Sequence, residues 1–248
     1  MNLNYITLGL DYDLYSVKNN ELRYEFQQFA CFIGDYFSKS IRKLKFKTDG
    51  TFNMISIELN DIEVKRCSIV PDKVLKVELT FNQNLYESTK GTSDFSYYLE
   101  MLEKGFFKAA EFKDIPLESM LNMIESFKQG GCKNEWIHKK KLFQGEDIEV
   151  ILKCCYTTYY FQLWVQINQI STRKKLVEGV ILQTEVGVSI HEGMFNDIFI
   201  IDHNIIITDK SDSHRILINK HKIFQEILDY KILGDKDLVE MLSYKIEK

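Results

Sequence analysis

Proline is nearly missing from this chain: Pro71 and Pro116 are the only two among 248 residues, and glycine contributes 12. That scarcity excludes a Pro/Gly-rich linker, a collagenous segment and low-complexity tracts. Also missing is any run of about 18 uninterrupted apolar residues, the minimum for a helix that spans a bilayer. The opening Met1-Asn2-Leu3-Asn4-Tyr5 has neither the basic region nor the apolar stretch of a secretion signal, and is expected to begin a strand. The cysteines, Cys31, Cys67, Cys132, Cys154 and Cys155, are odd in number and scattered. A disulfide-stapled secreted domain pairs its cysteines evenly, so the expectation is reduced thiols in a cytoplasm.

Positive charge is in short supply as well. Net charge is −4 and the isoelectric point is near 5.8, without the basic footprint of a nucleic-acid binder. The first 125 residues carry 15 Lys/Arg against 19 Asp/Glu, while the remainder is balanced. Fingerprints with a mechanism behind them are absent too: no phosphate-binding G-x-x-x-x-G-K-[ST], no G-x-G-x-x-G, no H-E-x-x-H, no C-x-x-C and no G-x-S-x-G. No catalytic residue and no cofactor is therefore assigned.

What is present is globular. Hydrophobic residues make up 45% and aromatics 13%, with 17 Phe and 13 Tyr to fill a core. A strand is expected over Tyr5–Leu14. A long helix follows, capped by Asn19 or Asn20, with Leu22, Phe26, Phe29, Ala30, Ile33, Phe37 and Ile41 recurring at helical spacing. Asp49-Gly50 reads as a hairpin turn opening a four-stranded antiparallel meander that ends in Val74–Asn82. Two helices follow, and Gly130-Gly131 stops the second. Strands then dominate to Ile218, and two short helices close the chain. The expected fold is α+β, with two interacting lobes, each an antiparallel sheet packed with helices. The division is 1–130 and 131–248, or one continuous domain.

Four patterns invite chemistry. His191, His203, His214 and His221 fall among Asp197, Asp202, Asp209 and Asp212, but their spacing fits no metal-ligand pattern and several sit where turns need polar residues. Asp11 and Asp13 are expected on one face of a strand, where a pair can hold Mg²⁺; no third carboxylate or phosphate loop accompanies them. Cys154 and Cys155, adjacent on a strand, face opposite sides and cannot share a metal. Lys139-Lys140-Lys141 is read as an edge strand's guard against aggregation rather than a nucleic-acid contact. No metal site is assigned.

The most informative segment is Tyr156–Asn168, expected as one strand. Tyr159, Phe161, Leu163, Val165 and Ile167 form its buried face. Tyr156, Thr158, Tyr160, Gln162 and Trp164 lie on the other, continued by Gln166 and Asn168, an uncharged polar-aromatic surface with the composition of a protein-binding patch.

The run Lys133-Asn134-Glu135-Trp136-Ile137-His138-Lys139-Lys140-Lys141, with Thr157-Thr158-Tyr159-Tyr160-Phe161, resembles stretches of bacterial toxin-immunity proteins. The resemblance covers about a tenth of the chain and transfers no functional residue. It implies a compact cytoplasmic α+β protein that neutralises a toxin domain by binding it. The expected function is non-catalytic protein binding, with a cognate toxin domain as partner and no membrane or nucleic acid. The alternatives are an enzyme with an unfamiliar site acting on a phosphorylated or nucleotide substrate, and a structural homo-oligomer pairing through the same aromatic face.

Overall fold

The first strand, β1 (Tyr5–Leu10), ends where Asp11 caps a helix that the sequence pattern conceals: its Oδ1 accepts the Leu14 amide at 2.9 Å. The computed structural model describes residues 1–62, 66–187 and 193–245. Among these the fold is α+β, with seven helices and three four-stranded sheets. No helix among the described residues is long and apolar enough to cross a membrane. The chain divides into two units, Met1–Asn134 and Glu135–Lys248.

In the first unit, α1 (Tyr12–Lys18) leads into α2 (Asn20–Leu44), whose cap is Asn19. The apolar stripe of α2 packs inward, with Phe26, Ile33, Phe37 and Ile41 at 0% exposure. The helix ends at Lys45, which adopts a left-handed φ of 51°. The strands β2 (Met54–Asn60), β3 (Cys67–Val70) and β4 (Val74–Thr80) complete a sheet of order β1-β2-β4-β3. Here the expected antiparallel meander is corrected. Both β1–β2 and β2–β4 are parallel, and only β3–β4 is antiparallel. A helix such as α2, packed on β1, carries the chain back to its starting end, so the strand after it runs parallel. Asp49-Gly50 is no hairpin: the Asp49 carboxylate accepts the Thr51 amide at 2.9 Å in the loop before β2. Beyond the sheet come α3 (Gln83–Thr89), α4 (Ser96–Phe112) and α5 (Leu117–Gln129). Ile55, Ile57, Leu75 and Val77 are fully buried, and α4 packs on β2 and β4.

The second unit holds two antiparallel sheets. One is β5 (Asn134–Phe143), β6 (Ile148–Tyr156), β7 (Phe161–Gln169) and β8 (Lys175–Thr184), in that spatial order. The other combines β9 (Asp197–Ile201), β10 (Asn204–Thr208), β11 (His214–Asn219) and β12 (Tyr230–Ile232). Helices α6 (Lys220–Ile223) and α7 (Lys236–Leu242) are short. In β10, Ile205, Ile206 and Ile207 are all buried, so this strand is covered on both faces.

The sheet β5–β8 has two unlike faces. Val150, Leu152, Cys154, Phe161, Leu163, Val165 and Ile167 are almost fully buried on one side. The β6–β7 register fixes the other: Cys155 opposite Gln162, Lys153 opposite Trp164, Ile151 opposite Gln166 and Glu149 opposite Asn168.

Candidate protein-binding groove

The expected single strand over Tyr156–Asn168 is two strands and a turn. Thr157 makes the turn: its backbone N–H donates to the Tyr160 carbonyl at 2.9 Å, and its hydroxyl oxygen accepts the amides of Tyr159 and Tyr160, each at 3.1 Å. This reversal corrects part of the expected binding face. Tyr156 closes β6 opposite Phe161, so both point into the core, and Tyr156 is only 5% exposed. Its hydroxyl accepts the Gly187 amide at 3.3 Å. Thr158 sits in the turn rather than on the sheet. Tyr159, expected in the core, is 53% exposed. From Phe161 onward the expected alternation holds, and Gln162, Trp164, Gln166 and Asn168 lie on the outer face.

Three of the five expected residues, Tyr160, Gln162 and Trp164, line a shallow groove of about 610 Å³ on that face. The other strands of the sheet supply the rest of its lining, including Glu135 and Ile137 from β5, Lys153 and Cys155 from β6, and Glu178 from β8. Its shape follows from side-chain size along the centre. β6 offers the small Cys155, and Lys153 reaches to Glu178 at 3.1 Å and to Gln166.

Hydrogen bonds hold the floor. The Trp164 indole N–H donates to Gln162 Oε1 at 3.0 Å, and Gln162 is in turn bonded to Gln183. Gln166 donates to Asn168 at 2.9 Å, Asn168 to Glu149 at 2.8 Å, and Lys140 pairs with Glu149 at 2.6 Å. Side chains tied in this way lose little further freedom when a partner docks. Glu178 is held below the usual carboxylate range by Lys175 and Lys153. Burial pushes the Tyr160 phenol up, and nearby Cys155 and Glu135 add to the shift. The Cys155 thiol lies 4.0 Å from Glu135 Oε1.

The other patterns are satisfied within the fold. Asp11 and Asp13 do not share a strand face, because the first caps α1 and the second lies in its opening turn. Lys76 Nζ stands 2.8 Å from Asp11, 2.9 Å from Glu58 and 3.4 Å from Glu78. Burial works to raise the Asp11 carboxyl, but Lys76 and the Leu14 amide outweigh it and hold it below its ordinary value. His203 stacks on His221 with ring centres 4.7 Å apart, while His214 is exposed at the start of β11. His191 lies outside the described residues. Asp197 is paired with Lys139 at 3.0 Å and Lys141 at 3.1 Å, and Asp209 with Arg215 at 2.6 Å. The three lysines of β5, an edge strand, thus divide between two carboxylates. No three His, Cys, Asp or Glu side chains among the described residues are grouped to hold a metal ion. None of the five cysteines forms a disulfide, and Cys154 is buried on the face opposite Cys155.

Comparison with known proteins supplies no relative: no family model matches the chain, and no curated protein or solved structure is significantly similar to it.

Glu135, Ile137, Lys153, Cys155 and Glu178 are among the groove residues that sequence reasoning missed. They come from three strands, and only the pairing register brings them beside Trp164.

Proposed function

We propose that this is a non-catalytic binding protein that holds a protein partner in the β5–β8 groove, as an immunity protein holds a toxin domain. The observation that carries the reading is the hydrogen-bonded Trp164 beside Tyr160 on an outward sheet face. Tryptophan and tyrosine are the side chains most often found as binding anchors, because they bury large rigid areas at low entropic cost. The reading includes a reducing, cytoplasmic setting, supported by five cysteines without a disulfide.

Co-expression with the product of the adjoining gene tests it. The expected result is a stable complex that weakens by about 2 kcal/mol or more on Trp164→Ala, as for a central anchor. A complex indifferent to Trp164, or no association at all, refutes the proposal. Self-association through the same face is the competing outcome, and sedimentation would show it as a mass that rises with concentration.

A further inference from the structure

We infer that the groove takes a positively charged side chain, an arginine or lysine presented by the partner protein, over the Trp164 and Tyr160 rings and against the Glu135 carboxylate. The inference rests on the binding function proposed above and adds the chemistry of what is bound.

Three observations support it. First, Gln162 already accepts the Trp164 indole N–H, so the indole presents a partner with its π surface rather than a hydrogen-bond donor. An aromatic face attracts cations, and tryptophan does so most strongly. Second, the charges in the groove do not balance. Lys153 is matched by Glu178, which also pairs with Lys175 at the groove's margin. Glu135 lines the same groove, close enough to Tyr160 to act on its phenol, with no Lys, Arg or His ion pair among the described residues, and it is exposed to solvent. Third, the other occupants fit poorly. A phosphate or an acidic segment would meet Glu135 and Glu178 with like charge. A wholly apolar segment would strip water from Glu135 without giving it a partner, which is costly for a carboxylate. A guanidinium or ammonium answers both the ring faces and the carboxylate.

The test uses the full-length protein and two small probes, N-acetyl-arginine amide and its neutral near-isostere N-acetyl-citrulline amide. The Trp164 indole signal is followed by nuclear magnetic resonance, with backbone amide signals of the first unit as internal reference. The arginine probe should shift the Trp164 signal and bind about three- to fivefold more tightly than citrulline, the ratio set by an exposed cation–π contact. Glu135→Gln should narrow that preference without abolishing it, because the ring faces remain, and should leave the dispersion of the spectrum unchanged. Equal binding of the two probes overturns the inference and leaves the binding function standing. If neither probe moves the signal, the inference falls. The binding function then falls with it only when the complex with the adjoining gene product also ignores Trp164→Ala.

Discussion

Replacing Lys76 with methionine removes the ammonium that Asp11, Glu58 and Glu78 share. Side-chain exposures there are 16% for Lys76, 9% for Asp11, 22% for Glu58 and 17% for Glu78, so water screens the cluster only in part. Each close pair at such a site is worth on the order of 4 kcal/mol of attraction before desolvation is counted. Taking one partner from a buried ion pair costs about 3–5 kcal/mol, since the charge left behind is uncompensated. The residual exposure here argues for the lower end, so we expect a loss of about 3 kcal/mol at pH 7. Acidity decides whether the cause is electrostatic. In the native protein the folded-state pKa of Asp11 lies below its unfolded value. It therefore contributes stability above the unfolded pKa, and loses it as pH falls through the folded one. In the variant, carboxylates crowded without an ammonium favour protonation, so acid relieves their repulsion. The gap between the two proteins in urea unfolding should be about 3 kcal/mol at pH 7 and about 1 kcal/mol or less at pH 4. A gap below about 1 kcal/mol at pH 7, or one unchanged at pH 4, refutes the argument.

Further outcomes follow from the packing. Phe161 is fully buried between Trp136 and Tyr156, with ring centres at 6.2 and 6.1 Å, so Phe161→Ala should cost about 3–5 kcal/mol in chemical denaturation. The outward, half-buried Trp164 should cost about 1–2 kcal/mol on truncation, and equal losses would show the two faces to be equally buried. A methyl group on Gly105 of α4 would lie 2.6 Å from Ile57 Cγ1, so Gly105→Ala should destabilise by about 1–2 kcal/mol despite its better helix propensity. A double-mutant cycle with Ile57→Val should then lose less than the sum; strict additivity would mean that the contact is not the cause. Burial pushes the phenols of Tyr15 and Tyr97 up to about 12, and those of Tyr86 and Tyr98 up as well. The neutral phenol is favoured in the folded state, so this stability is complete below the unfolded pKa near about 10 and is lost as pH rises toward the folded values. The urea midpoint should fall steadily above pH 10, and a flat midpoint up to pH 12 would contradict that burial.

Helical spacing in α2 and strand alternation in β4 are legible because each has one buried face, and burial imposes a period that survives in the residues. Direction is another matter. Whether β2 runs parallel or antiparallel to β1 depends on what lies between them, and Leu44–Lys47 reads as an extended run although Leu44 is the last residue of α2. The same limit applies at Thr157–Tyr160. β-branched and aromatic residues have strand propensity, and the turn there rests on one threonine hydroxyl rather than on glycine, proline or asparagine. Missing that turn put Tyr156 and Thr158 on the wrong surface, while Gln162 and Trp164 kept their side because they follow it.

Three of the groove's ten lining residues were legible, for a reason separate from the turn. A strand's own alternation says which residues share its face, but not which residues of other strands stand beside them. Trp164 alone is an aromatic on a sheet. What makes it a candidate site is the groove around it, where Cys155 on the next strand is small, Lys153 leans toward Glu178, and Glu135 shares the lining. The features that read as chemistry, Asp11, Asp197 and Asp209, each close onto a cation of their own unit. A carboxylate paired in this way is poorly placed to act on a substrate, because moving it means breaking an ion pair first. Glu135 differs in facing solvent beside exposed aromatic surface, and that difference is the physical reason for seeking the partner's charge there.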